Sequence, residues 1–426
     1  MLTLLFLAFL LLLVVGFDVG FSMVLAAFLG VQFKTERVVD TTMLPLSMIN
    51  GVDSYALVQI PLFIMAGELM NRGGLTQRLI DWSQAMVGQV RGSLGHVSII
   101  TNFIMAGVSG SAVADAVATG KPLIPAMRKA GYGDGYAGAV IAAGALLGPI
   151  IPPSIPMVIY AQLASQSVVK MFMSGVIPGI LLATGYLVLC TVIGRVRAYP
   201  RPPRVTWRQR GQVTRNAGWA LMMPLIVILG IRFGIVTDTE AAAMAALYAL
   251  VVSLFIYRSL RLSELAELLT SAGKSAGVIL FLLAAAGPFS WLVAESQVNE
   301  AVVHLIRGAS DHPTIILLTV NAALLLVGCI LEPLPAMIIF VPTLLPLAAQ
   351  LGIDPIHFGS IIVLNLMIGL LHPPIGLLLF VVANVGKIPI KPVIVESLPF
   401  LAWSIIVLIL AIMYPPITTW LPSTLH

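Results

Sequence analysis

Long apolar runs restrict this chain more than any other feature. Leu2 to Val15 carries no charge, and comparable runs recur along 426 residues of which 59% are hydrophobic and 10% charged. Soluble domains are about 45–50% apolar and about 25% charged, so an ordinary soluble globular protein is excluded. The mean hydropathy of +1.03 agrees. A bilayer core takes about 20 apolar residues per helix, which leaves room for about ten to twelve membrane segments and no sizeable soluble domain. The net charge of +5 does not signify nucleic-acid binding, because membrane proteins gather Lys and Arg in cytoplasmic loops. Cys190 and Cys329 lie in apolar sequence and suggest neither a disulfide nor a Cys-based metal site. Met1 to Val15 lacks a positive n-region, so no cleavable leader is expected.

Gly, Pro and charge clusters divide the chain into predicted crossings at 2–15, 18–31, 52–70, 133–163 and 168–194, then at 218–233, 239–257, 276–295, 357–385 and 393–414. Two further apolar stretches, 93–120 and 312–345, carry Gly, Ser, Pro and acidic residues at their middles, where a spanning helix should be cleanest. They read as re-entrant hairpins. The expected fold is therefore an all-α polytopic membrane protein.

Gly194 to Arg215 contains seven arginines and no acidic residue. Between two apolar helices such a run marks a cytoplasmic loop. It divides the chain into 1–194, a linker 195–215, and 216–426, with five crossings on either side and both termini outside. On this arrangement 18 of 23 Lys and Arg fall on the cytoplasmic side, against Lys34, Arg37, Lys170, Arg232 and Arg307 elsewhere.

The halves also repeat. Gly107 and Gly328, Pro125 and Pro346, Gly138 and Gly359, Gly148 and Gly369, Pro152 and Pro373, and Pro153 and Pro374 all pair at an offset of 221 residues. An odd number of crossings per half places the second half upside down, the inverted repeat from which many secondary transporters are built. The first hairpin should then enter from the cytoplasm and the second from outside.

Each hairpin is followed by an apolar segment with a double proline: Gly148-Pro149-Ile150-Ile151-Pro152-Pro153-Ser154 and Gly369-Leu370-Leu371-His372-Pro373-Pro374-Ile375-Gly376. An interior proline removes a helical hydrogen bond and clashes with the preceding turn, at about 3 kcal/mol, so a pair should unwind the helix. Unwound backbone is tolerated in a membrane where it is buried in protein or lines a watery cavity. There its carbonyls can ligate Na⁺, while a half-helix N-terminus faces an anion. A simple kink is the alternative.

The candidate sodium ligands are Ser109, Gly110 and Ser111 of the first hairpin, Gly148 and Pro149 of the first break, Gly328 and Glu332 of the second hairpin, and Gly369 and His372 of the second break. Asp115 is costly at membrane depth, and either caps a hairpin helix or lends charge to a cation site. Glu332 stands where Ser111 stands in the first half, and either attracts Na⁺ or is protonated. Pro153, Ser154, Asn365 and Pro374 are candidate substrate contacts, with helix-to-helix hydrogen bonding the plainer role for Ser154 and Asn365.

These residues carry a family resemblance along essentially the whole chain. Gly16 to Phe21, Gly107 to Asp115, Gly131-Tyr132 followed by Gly148 to Ile155, Thr239 to Ala243, Glu332-Pro333 and His372 to Gly376 together resemble the large membrane subunit, the DctM type, of tripartite ATP-independent periplasmic (TRAP) transporters. Asp18 stands where that family commonly has proline, and Glu332 where it commonly has aspartate. The resemblance implies Na⁺-coupled uptake of a small carboxylate across the bacterial inner membrane and an elevator-like motion of a hairpin-containing domain. It also implies two partners, a small four-helix membrane subunit and a periplasmic substrate-binding protein, and no organic cofactor.

A one-component divalent-anion/Na⁺ carrier shares the repeat logic without a binding protein. An intramembrane protease is the rival from another class. Gly107-Val108-Ser109-Gly110 matches a rhomboid pattern and Gly131-Tyr132-Gly133-Asp134 an aspartyl one. Rhomboid chemistry needs a histidine base on the serine, whereas His96, His304, His312 and His357 sit near segment ends and His372 lies in the second break. Aspartyl chemistry needs two deep aspartates, and Asp134 lies beside Lys129 at a turn. Both are short coincidences in a chain with 37 glycines.

Overall fold

The computed structural model describes residues 2–32, 42–202, 204–295 and 312–425. Lys34, Arg37, His304 and Arg307 lie outside the described residues. Within them the chain is helical throughout, with no strand. The first half comprises α1 (Leu2–Val15), α2 (Val19–Gln32), α3 (Met43–Val52), α4 (Gln59–Arg72), α5 (Leu75–Val87), α6 (Ser93–Ser109), α7 (Ala112–Lys129), α8 (Asp134–Ala145), α9 (Ile155–Leu163) and α10 (Val168–Val196). The second comprises α11 (Trp207–Arg232), α12 (Asp238–Val251), α13 (Leu262–Glu295), α14 (Pro313–Gly328), α15 (Pro333–Gln350), α16 (Pro355–Gly369), α17 (Leu377–Gly386), α18 (Ile390–Met413) and α19 (Pro416–Ser423).

Among the described residues six helices are long and apolar enough to cross a bilayer: α10, α11, α12 with its π-helical extension to Ile256, α13, α15 and α18. The other segments expected to cross are shorter. Helices α1 and α2 have 14 residues each, about 21 Å at 1.5 Å per residue, against a core of about 30 Å. The stretch expected from residue 52 is the second limb of a bent span that starts at Met43 and turns through 63°. At the bend Asp53 and Ser54 leave helical conformation, and Ser54 Oγ donates to Gln162 Oε1 of α9 at 2.8 Å. Helix α5 was not expected from apolar runs, because only one face, with Leu75, Leu79 and Ile80, is buried.

Each stretch read as a hairpin holds a pair of helices, and each pair runs past the expected end, to Lys129 and to Gln350. The first is α6 and α7 and the second α14 and α15. Pro122 and Pro125 stay inside α7, and Pro342 and Pro346 inside α15. Single spaced prolines are accommodated in these helices without ending them. Adjacent prolines do end them: α8 stops at Ala145 and α9 begins after Pro152-Pro153, while α16 stops at Gly369 and α17 begins after Pro373-Pro374. Both Pro-Pro bonds are cis.

The helices form two groups. Helix α13 packs on α2, α3 and α4, α12 packs on α4, and α11 on α5 and α12, which makes an outer frame. The inner group is centred on α8 and α16, buried along almost their whole lengths. Helix α8 is surrounded by α6, α7, α17 and α18, and α16 by α9, α10, α14, α15 and α18. Small residues allow this all-round burial. A Cβ on Gly138 would lie 2.9 Å from Val393, and one on Gly359 would strike the Tyr160 ring. The groups meet where α13 packs on α15, α4 on α6, and α11 on α6.

Candidate transport site

The first hairpin turns in two residues. Gly110 ends α6 with φ +58°, a left-handed conformation that glycine adopts without a Cβ penalty. Ser111 is extended and caps α7, its hydroxyl accepting from Ala114 N at 3.4 Å. Asp115 is therefore not the cap, contrary to one of its two sequence readings. It sits one turn further in, fully buried, where its Oδ2 accepts from Ser109 Oγ at 2.7 Å and ties the two arms together. Its Oδ1 is buried with no hydrogen-bond partner. The first break packs directly behind this pair, since a Cβ on Gly148 would lie 2.5 Å from Asp115 Oδ2. Pro153 lies against the tip, with its carbonyl 3.1 Å from where a Gly110 Cβ would be. Among the described residues no N–H reaches the carbonyls of Gly148, Pro152 or Pro153.

The second tip is wider. Cys329 to Glu332 link α14 to α15, and Glu332 occupies the N-cap position without a side-chain capping bond. Gly328 and Gly369 meet backbone to backbone, a Cβ on Gly369 falling 2.7 Å from the Gly328 carbonyl. His372 Nδ1 lies 2.9 Å from Cys329 Sγ and 2.6 Å from its neighbour Pro373 O, so the ring joins the break to the tip.

Both tips and both breaks converge on one cavity of about 440 Å³. Gly110, Ser111, Pro149 and Glu332 line it directly. Ser109, Gly148, Gly328 and Gly369 stand behind or beside these as packing backbone. The four candidate substrate contacts are not among the lining residues. Ser154 Oγ donates to Pro149 O, closing the break loop, and accepts from Met157 N at 3.3 Å as the cap of α9. Asn365 Nδ2 donates to Asn321 O at 2.7 Å and Oδ1 at 2.8 Å, joining α16 to α14. The Ser154 hydroxyl and the Asn365 amide N–H groups are thus engaged inside the protein, while Asn365 Oδ1 is buried with no hydrogen-bond partner. Pro374 is exposed.

The opposite wall was not anticipated. It is α13, which presents Ser275, Val278, Ile279 and Leu282. Their spacing of three, four and seven residues is the face of one helix, a signal readable in the sequence but hidden in a helix apolar nearly all round. Ser111, Ser275 and Glu332 are the hydrophilic side chains in the lining, and no Lys or Arg belongs to it. The cavity can thus offer hydroxyls, one carboxylate, bare carbonyls and the N-terminal ends of α7 and α15.

Paired hairpins, paired broken helices and a shared cavity against an outer frame define a membrane transport protein. Comparison with known structures agrees at the level of fold: the Alcanivorax borkumensis YdaH transporter superposes with a TM-score of 0.56 at 17% identity, over 86% of each chain. The family described as "Tripartite ATP-independent periplasmic transporter, DctM component" matches residues 6–417, and the chain belongs to it. The sialic acid TRAP transporter large permease SiaM of Vibrio cholerae is 37% identical over 97% of this chain and 96% of its own length. The C4-dicarboxylate large permease DctM of Pseudomonas aeruginosa is 37% identical over 90% of each. The 2,3-diketo-L-gulonate large permease YiaN of Escherichia coli is 38% identical over 85% of each. Membership makes the chain a multi-pass permease component, and the protease reading has no place in it.

Proposed function

We propose that this chain is the Na⁺-coupled large permease subunit that imports a small organic acid across a bacterial inner membrane. A periplasmic binding protein delivers the acid, and a small membrane subunit completes the transporter. The observation that carries the reading is the cavity where both hairpin tips and both helix breaks meet α13. Relatives named for sialic acid, C4-dicarboxylates and diketogulonate support the substrate class. Sodium is assigned to the carbonyl and hydroxyl oxygens at Ser109 to Ser111 with Gly148 and Pro149, and to those at Gly328 and Glu332 with Gly369 and His372. The substrate lies between these tips and α13, with its carboxylate toward the N-termini of α7 and α15.

In this proposal the segments 1–194 and 216–426 are inverted copies joined by the Arg-rich linker, with both termini outside. The inner group slides as an elevator against the frame. The test is uptake into proteoliposomes containing this chain and its small subunit. Saturable uptake that needs both an inward Na⁺ gradient and the loaded binding protein is expected. Uptake indifferent to both would overturn the proposal, and uptake needing Na⁺ alone would instead favour a one-component carrier.

A further inference from the structure

A second cavity, of about 680 Å³, lies away from the transport site at the junction of α5, α11 and the end of α12. We infer that it binds the phosphate headgroup of an anionic phospholipid. Arg78 of α5 and Arg215 and Asn216 of α11 line it, with Tyr257 just beyond the π-helical extension of α12. The Arg78 guanidinium lies 3.7 Å over the Tyr257 ring, and its Nη1 donates to Gly74 O at 2.9 Å. Tyr257 is fixed in turn, its hydroxyl donating to Asn216 O at 2.8 Å. Arg78 is therefore held in place with most of its donors unused. Arg215 is exposed and has no hydrogen bond or ion pair with the described residues. Asp81 is the one acidic lining residue, and its Oδ1 already accepts from Gln77 Nε2 at 2.9 Å.

The surroundings favour a lipid over a soluble anion. Trp219 lines the cavity and is 48% exposed, and Met222 one turn further along α11 is exposed too, as are Leu247 and Phe255 on α12 and its π-helical extension, the helix packed against α11. Tryptophan favours the boundary between headgroups and acyl chains. A phosphate held by two guanidiniums, with acyl chains laid over this apolar apron, matches each part of the surface to a part of a phospholipid. Inorganic phosphate would use the arginines and leave the apron empty.

Native mass spectrometry tests this on the full chain extracted in mild detergent with whatever subunits accompany it. Phosphatidylglycerol, phosphatidylcholine with the same acyl chains, and sn-glycerol 1-phosphate are titrated in turn. Preferential retention of phosphatidylglycerol is expected, with a fall of about fivefold in Arg215→Gln, the effect of removing one arginine at a charged membrane surface. Trp219→Ala should weaken phosphatidylglycerol and leave glycerol phosphate unchanged. Three results would each overturn the inference: equal retention of the two lipids, glycerol phosphate binding as strongly as phosphatidylglycerol, or Arg215→Gln without effect. An acidic protein segment lost from this face in Arg215→Gln, with lipid retention unaltered, would reassign the site.

Discussion

Ser109 illustrates how much one hydroxyl decides at the first tip. Its bond to Asp115 is buried, and the other carboxylate oxygen has no partner. Ser109→Ala would leave the buried carboxylate without its hydroxyl donor, at a cost of about 1–3 kcal/mol. Expected is a detergent-extracted protein that melts earlier and needs more Na⁺ for half-maximal uptake. Restored melting in Ser109→Thr would tie the loss to the hydroxyl, and an unchanged sodium titration in Ser109→Ala would remove this tip from the ion site. Ser275 offers the converse test, being exposed on the frame side of the cavity. Ser275→Trp should abolish uptake while insertion and melting stay near wild type, and wild-type uptake would place the substrate elsewhere.

At the scale of elements, the double prolines and glycine-rich tips were legible because each breaks a rule that an apolar helix otherwise obeys. The details of the site were less so. Ser111 and Asp115 are both plausible caps in the sequence, and only the turn geometry at Gly110 selects Ser111. Asn365 and Ser154 look available in a string of letters, yet each has a backbone carbonyl within reach. The α13 wall escaped notice because a frame helix with lipid on one side and protein on the other shows little contrast between its faces. If the inner group moves against this helix, tethering the two should stop it. With Cys329 replaced by serine, cysteines at Val278 and Leu334, both in the cavity lining, should arrest uptake when joined by a short bifunctional reagent. Uptake undiminished by a completed cross-link would argue against relative motion at this wall.

For the whole molecule, charge distribution says more than net charge. The arginines of 195–215 make few ties to the folded body. Arg197 pairs with Glu396 at 2.8 Å and Arg204 donates to Gln89 at 3.2 Å, both at the surface. Exposed pairs of this kind contribute about 0–1 kcal/mol, so the run adds little to cohesion. Replacing Arg201, Arg204, Arg208 and Arg210 with glutamine should lower yield or mix orientations, read by labelling a cysteine near the C-terminus from either side. The fraction correctly inserted should keep its apparent affinity, and a changed affinity would draw the linker into the site.

The two tips differ in one respect with a consequence for electrical behaviour. Ser111 is neutral, whereas Glu332, when ionised, gives the second tip a negative charge with no Lys or Arg in the cavity to balance it. If that tip travels through the membrane field, each elementary charge carried across is worth about 2.3 kcal/mol per 100 mV. An empty carrier with a charged tip would then be pulled toward the positive, outer side by an inside-negative voltage, so the resting potential would reset the transporter between cycles. Glu332→Gln should flatten the voltage dependence of turnover measured in proteoliposomes under imposed potassium potentials. A dependence equal to that of the wild type would mean that the charge of this tip does not cross the field.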